Sequence, residues 1–176
     1  MLTDTNEGRL LLNEAAYSIL RREAPEELSA YVLLRDRYLA DPEGFARPRP
    51  DRDEALGFGS AVAVQTLTQA LFPLLAPMLL HIVTQAALAL QDEGGKRAAV
   101  WVRSWFQEPG SRTAAQVAHQ PQFSQAQLNA IRLELAQIAE NEGRRLGIAR
   151  HKVARVQDAL LARLALATVP QEAHRV

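Results

Sequence analysis

The chain has 176 residues, 48% of them apolar, with 20 basic side chains, 20 acidic ones and no cysteine. A chain of this length buries a core without covalent staples, and the missing thiol excludes disulfides, thiol nucleophiles and Cys-ligated zinc or iron–sulfur centres. Zero net charge hides an uneven spread, because residues 1–57 hold 8 basic and 12 acidic side chains while residues 143–176 hold 7 basic and 2 acidic.

The start, Met1-Leu2-Thr3-Asp4-Thr5-Asn6-Glu7, is acidic and polar, unlike the basic and then apolar start of a signal peptide. A cytoplasmic protein is expected, at most attached to the membrane from its inner face. Leu12, Ala15, Ala16, Ile19 and Leu20 form one apolar stripe, which predicts a helix over about 9–22. Pro25-Glu26-Glu27 opens a second helix, to about Ala40. Proline suits a first helical turn, and carboxylates suit the positive end of the helix dipole. From Asp41 to Asp53 the chain carries Pro42, Pro48 and Pro50 among alternating charges, as an extended, solvated connector would.

The next stretch dominates the sequence. From Ala55 to Gln91 there is no Asp, Glu, Lys or Arg. Gly57-Phe58-Gly59-Ser60 introduces it, with Ser60 as a candidate N-cap, and Asp92-Glu93-Gly94-Gly95 closes it. A helix apolar nearly all round belongs in the middle of a packed domain or in a bilayer. Its mean hydropathy reaches 1.7, near the borderline for a membrane span. The exceptions within it, Gln65, Gln69, Pro73, Pro77, His81 and Gln85, fall four residues apart, so they share one winding ridge. They are the candidate partner-contact or membrane-contact residues. Both prolines predict a kink, or a break near Leu71–Ala76. Three glutamines and a histidine weigh against hydrocarbon, and amphipathic neighbours can supply cover, which favours the core reading.

A fourth helix, about Lys96 to Gln107, presents Trp101, Val102, Trp105 and Phe106; residues 109–123 read as a loop. Ser124 with Gln127 is a capping-box pair and starts a fifth helix carrying Leu128, Ile131, Leu135 and Ile138. Gly147 suits a C-cap. A last helix, about Ala149 to Ala167, offers Val153, Val156, Leu160 and Leu164 to the core.

Glu142 to Val156 resembles a helix-turn-helix signature, with small Gly143, turn residue Gly147, and apolar Val153 and Val156 at the expected offsets. The resemblance implies that residues 142–164 bind DNA, with Arg150, His151, Lys152 and Arg155 projecting from the second helix. A plain helical hairpin with a glycine cap satisfies the same pattern.

Catalytic sets do not emerge. Gly94-Gly95-Lys96 lacks the upstream glycine and the hydroxyl of a phosphate loop. His81, His119, His151 and His174 are far apart, so helical metal ligation has no local support. His81 reads as a core histidine, Asp51, Asp53 and Glu54 as a solvated acidic cluster, and the aromatic residues of the fourth helix as core. No cofactor, metal or small-molecule substrate is implied.

The expected fold is all-α, about six helices bundled around a long, proline-kinked apolar helix. Residues 1–40 form an acidic helix pair, 41–59 a connector, 60–170 the helical core with a basic C-terminal hairpin, and 171–176 a frayed tail. The expected function is a non-enzymatic interaction module that self-associates or docks a protein partner through apolar helix surface. The alternatives are a membrane-active protein inserting residues 60–90 and the DNA-binding module above.

Overall fold

The computed structural model describes residues 2–46, 66–107, 121 and 123–168, and among these it is all-α with no strand. A 3-10 turn, Leu2–Asp4, leads into α1 (Asn6–Glu23); a second, Pro25–Glu27, leads into α2 (Leu28–Ala40). Then come α3 (Pro42–Ala46), α4 (Leu67–Leu90), α5 (Lys96–Arg103), α6 (Gln125–Arg145) and α7 (Arg150–Ala167). The start of the expected connector is thus a short helix. The Asp41 carboxylate accepts the Gly44 N–H at 2.8 Å and caps it, and Phe45 lies edge-on to Tyr38 at 5.3 Å.

The charge-free helix is the hub. It packs against α1, α2, α5, α6, α7 and the first 3-10 turn. Leu71, Phe72, Leu74, Leu75, Met78, Leu79 and Ile82 are all fully buried. At about 1.5–3 kcal/mol for each such side chain, they contribute on the order of 10–20 kcal/mol of gross burial. That is comparable to a domain's entire net stability, so the bundle cannot form without this helix.

Both prolines are absorbed without a break. α4 runs continuously from Leu67 to Leu90 through Pro73 and Pro77, so of the kink or break expected near Leu71–Ala76 the break does not occur. Proline lacks the N–H that an i−4 carbonyl would receive, leaving the Gln69 and Pro73 carbonyls without that helical donor. The loss falls where the helix is most heavily covered, and burial on that scale outweighs about 3 kcal/mol per proline.

The start of α4 also differs from expectation. Ser60 lies outside the described residues, and Thr66 is the cap: its hydroxyl accepts the Gln69 N–H, and the Gln69 side chain accepts the Thr66 N–H. A second cap comes from far away in sequence. Glu27, at the head of α2, accepts the Leu67 N–H at 2.9 Å, the Thr68 N–H at 2.7 Å and the Thr68 hydroxyl at 2.7 Å. Burial alone would raise the Glu27 pKa, but those donors and the nearby Lys152 charge outweigh it, so the carboxyl titrates below its ordinary value.

Polar side chains tie the outer helices together. Tyr31 of α2 donates to the Asn13 carbonyl of α1 at 2.7 Å. Arg103 of α5 pairs with Glu14 of α1 at 2.7 Å. Arg163 of α7 donates to the Trp105 carbonyl and the Ser18 hydroxyl, each at 3.1 Å. Trp101, Trp105 and Phe106 are core residues, the two indoles meeting edge-to-face at 4.7 Å.

Candidate functional site: the open face of the central helix

α4 is enclosed over its first half and open over its second. Through Leu79, only Gln69 among residues 67–79 is exposed; beyond it, Leu80, Thr84, Leu88 and Ala89 reach solvent. Leu80 is 41% exposed and Leu88 70%. Two adjoining concavities follow this side of α4. One, of about 440 Å³, has Pro73, Ala76, Pro77 and Leu80 as its floor, with Tyr38, Glu43, Glu142 and Arg145 on its walls. The other, of about 650 Å³, has Leu80, Val83, Thr84, Ala87 and Leu88 as its floor, with Glu7, Glu93 and Lys96 at its edge.

The floor residues recur at steps of three and four, the spacing of one helical seam. From Pro73 to Leu88 that seam is about four turns long, or about 22 Å at 1.5 Å per residue. Its floor carries no charge and its rims carry several. Tyr38 illustrates the environment: burial, reinforced by the Glu142 charge, pushes its hydroxyl up to about 12. Glu142 is itself held by Arg145 at 2.6 Å.

The six-residue ridge does not act as one surface. Gln65 lies outside the described residues. Gln69 is exposed and spent on the Thr66 cap. Pro73 is buried and Pro77 half-buried, both in the first concavity. His81 and Gln85 are half-buried. His81 Nε2 lies 2.9 Å from a carboxylate oxygen of Glu134 on α6, outside hydrogen-bond geometry. Steps of four residues drift about 40° each on a 3.6-residue helix, which carries the ridge from solvent through core to an interhelical contact. The apolar residues that floor the seam but escape the Gln/Pro pattern are Ala76, Leu80, Val83, Ala87 and Leu88, with Thr84 beside them. Their signal in sequence was indistinguishable from that of core residues.

The C-terminal hairpin has the packing that its glycines foreshadow. A Cβ on Gly143 would lie 2.6 Å from Val153 Cγ2, so α6 and α7 approach too closely there for alanine, and Gly147 has φ +64° in the turn. Arg150, His151 and Arg155 are exposed and Lys152 half-buried. Much of the basic charge is already committed within the chain. Arg155 Nε is 3.5 Å from Glu23 and its guanidinium also donates to the Glu23 carbonyl. Arg145 pairs with Glu142, and Arg144 lies 3.6 Å from Glu140.

Among the described residues no three potential metal-ligating side chains converge. The Asp51, Asp53 and Glu54 cluster, His119 and His174 lie outside the described residues. No family model, curated protein or solved structure matches the chain.

Proposed function

We propose that this protein is a non-enzymatic interaction module that docks an amphipathic helix of a protein partner along the open face of α4. The observation that carries the reading is the uncharged seam from Pro73 to Leu88, with Leu80 and Leu88 exposed on a helix whose first half is core. An apolar stripe at three- and four-residue spacing between charged rims is the surface that a helix-in-groove contact uses. Exposed apolar residues scattered singly need no such account; Leu133, 67% exposed on α6, is one of those.

Insertion of residues 60–90 into a bilayer is supported less well. α4 satisfies the length and hydropathy of a span, yet 61% of its most apolar part is already buried against protein. Insertion would require the bundle to come apart. DNA binding through Arg150, His151, Lys152 and Arg155 is supported less well too, since phosphate attraction needs uncommitted cations, and Arg155 is held by Glu23.

Site-specific photo-crosslinking in native extract tests the proposal. A photoreactive residue at Leu80 or Leu88 should give one discrete protein adduct, with this chain or another, that is absent when the probe sits at Leu133. Equal adduct patterns at all three positions, or substrate turnover by the purified chain, would remove the reading.

A further inference from the structure

Two hydroxyls belong to buried residues, lack a partner and border the same cavity. Tyr38 is 5% exposed and Thr3 7%. Both line the concavity of about 440 Å³ whose floor is Pro73, Ala76, Pro77 and Leu80. Among the described residues neither hydroxyl has a hydrogen-bond partner. The bond that Thr3 does make uses its carbonyl, which accepts the Arg9 Nε at 2.7 Å. Buried polar groups are nearly always paired, with protein or with water, and a buried phenol usually is. Tyr31 is the control within the same fold. It is 3% exposed, borders neither concavity, and donates to the Asn13 carbonyl at 2.7 Å.

Neither hydroxyl is sealed in. The described side-chain atoms that are both walled off and unpaired are His81 Nε2 and Trp105 Nε1. The Tyr38 and Thr3 oxygens therefore still reach open space, and the open space that both residues border is this cavity. Both are also held in place. The Tyr38 ring is stacked on Phe72 at 5.4 Å, with Phe45 edge-on at 5.3 Å. The turn that carries Thr3 lies so close on α1 that a Cβ on Gly8 would collide with the Leu2 carbonyl. Groups fixed before a ligand arrives cost less to order on binding. A few convergent polar groups in an otherwise apolar cavity are the make-up of a small-molecule site, and such sites run to about 300–1,000 Å³.

Charge narrows the ligand. Burial, and then the Glu142 charge, hold the Tyr38 phenol protonated beyond its ordinary range, and a ligand carboxylate beside it would meet both. An ammonium gains little, because Arg145 already neutralises Glu142 at 2.6 Å and Glu43 is exposed to water. A hydroxyl on an apolar ring fits, since it donates to one oxygen and accepts from the other. We propose that this cavity binds a small uncharged ring compound through a hydroxyl that hydrogen-bonds Tyr38 and Thr3. The inference does not depend on the docking reading, which needs Leu88, a residue outside this cavity.

The test is titration of the full chain with p-cresol, followed by the methyl resonances of Ala76 and Leu80. Toluene, which lacks the hydroxyl, and p-toluate, which carries a charge, are the matched probes. p-Cresol should bind saturably and shift those methyls but not those of Leu133, exposed on α6. Toluene and p-toluate should each bind about tenfold more weakly, or worse. Tyr38→Phe and Thr3→Val keep the shape of each side chain. Each should weaken p-cresol about five- to tenfold and leave toluene unchanged. No saturable binding, or equal affinity for toluene or p-toluate, overturns the proposal. So does p-cresol affinity that is unmoved in either variant, since water alone would then satisfy the hydroxyls. If Tyr38→Phe unfolds the chain, Thr3→Val decides.

Discussion

Neutralising Glu27 should destabilise the whole bundle through the first turn of a helix it does not belong to. The carboxylate accepts two N–H groups and one hydroxyl from Leu67 and Thr68, and Thr68 is fully buried. Glu27→Gln keeps the shape, removes the charge and turns an NH2 donor toward another donor. A hydrogen bond to a charged group contributes about 1.5–3 kcal/mol, and a charge at a helix N-terminus about 0.3–1 kcal/mol. Part of the bonding survives through the remaining amide oxygen, so the expected loss is about 2–3 kcal/mol. Urea unfolding at pH 7 reads it as a midpoint lower by about 1 M, given slopes of about 1–3 kcal/mol/M. The pH dependence follows from the lowered carboxyl pKa. A carboxyl titrating lower in the folded chain contributes stability above its unfolded value of about 4.3, and that contribution disappears as pH falls through the folded value. The gap between wild type and Glu27→Gln should stay constant from about pH 8 to pH 5 and narrow as pH falls below the ordinary carboxylate range. A gap below about 0.5 kcal/mol at pH 7, or one that persists unchanged in acid, would refute the cap.

Other substitutions probe other joints. Gly143→Ala should lower the melting temperature, because overpacking costs about 1–3 kcal/mol against a helix-propensity gain of about 1 kcal/mol; Val153→Ala in the same chain should recover much of the loss. Leu135→Ala, in the core, should cost about 2–5 kcal/mol, whereas Leu133→Gln two residues earlier should stay within about 0.5 kcal/mol by chemical unfolding. In an ultraviolet titration, Tyr31 and Tyr38, both held protonated mainly by burial, should remain unionised as pH passes 10. Since their raised values favour the fold only while the unfolded phenols also stay protonated, stability should decline above about pH 10. Ionisation of all three tyrosines together near pH 10 in a folded chain would contradict that burial.

Much of the fold was legible because it is written in local patterns. The charge-free run marked the hub, Ser124 with Gln127 marked the head of α6, and Gly147 marked the turn before α7. The head of α4 was missed: Thr66 and Gln69 have capping-box spacing, but the Gly57–Ser60 cluster placed the expected start at Ser60. The proline break failed to appear because the penalty is local while the burial that outweighs it comes from five other helices. Glu27 could not have been found as a cap, since it lies 40 residues from Leu67. The seam was hidden for a related reason. Leu75 and Leu88 look alike in sequence, and only the placement of the other helices buries one and exposes the other. Gly8 carried no pattern at all; its meaning is the backbone of residue 2 lying against it.

Amide hydrogen exchange of α4 in lipid-free aqueous buffer tests most directly whether the charge-free helix is the core of a folded bundle. The amides from Leu74 to Ala86 should exchange only through global unfolding and rank among the slowest in the chain. Rapid exchange there, slowed only when liposomes are added, would mean that the segment finds its shelter in a bilayer and not in the bundle.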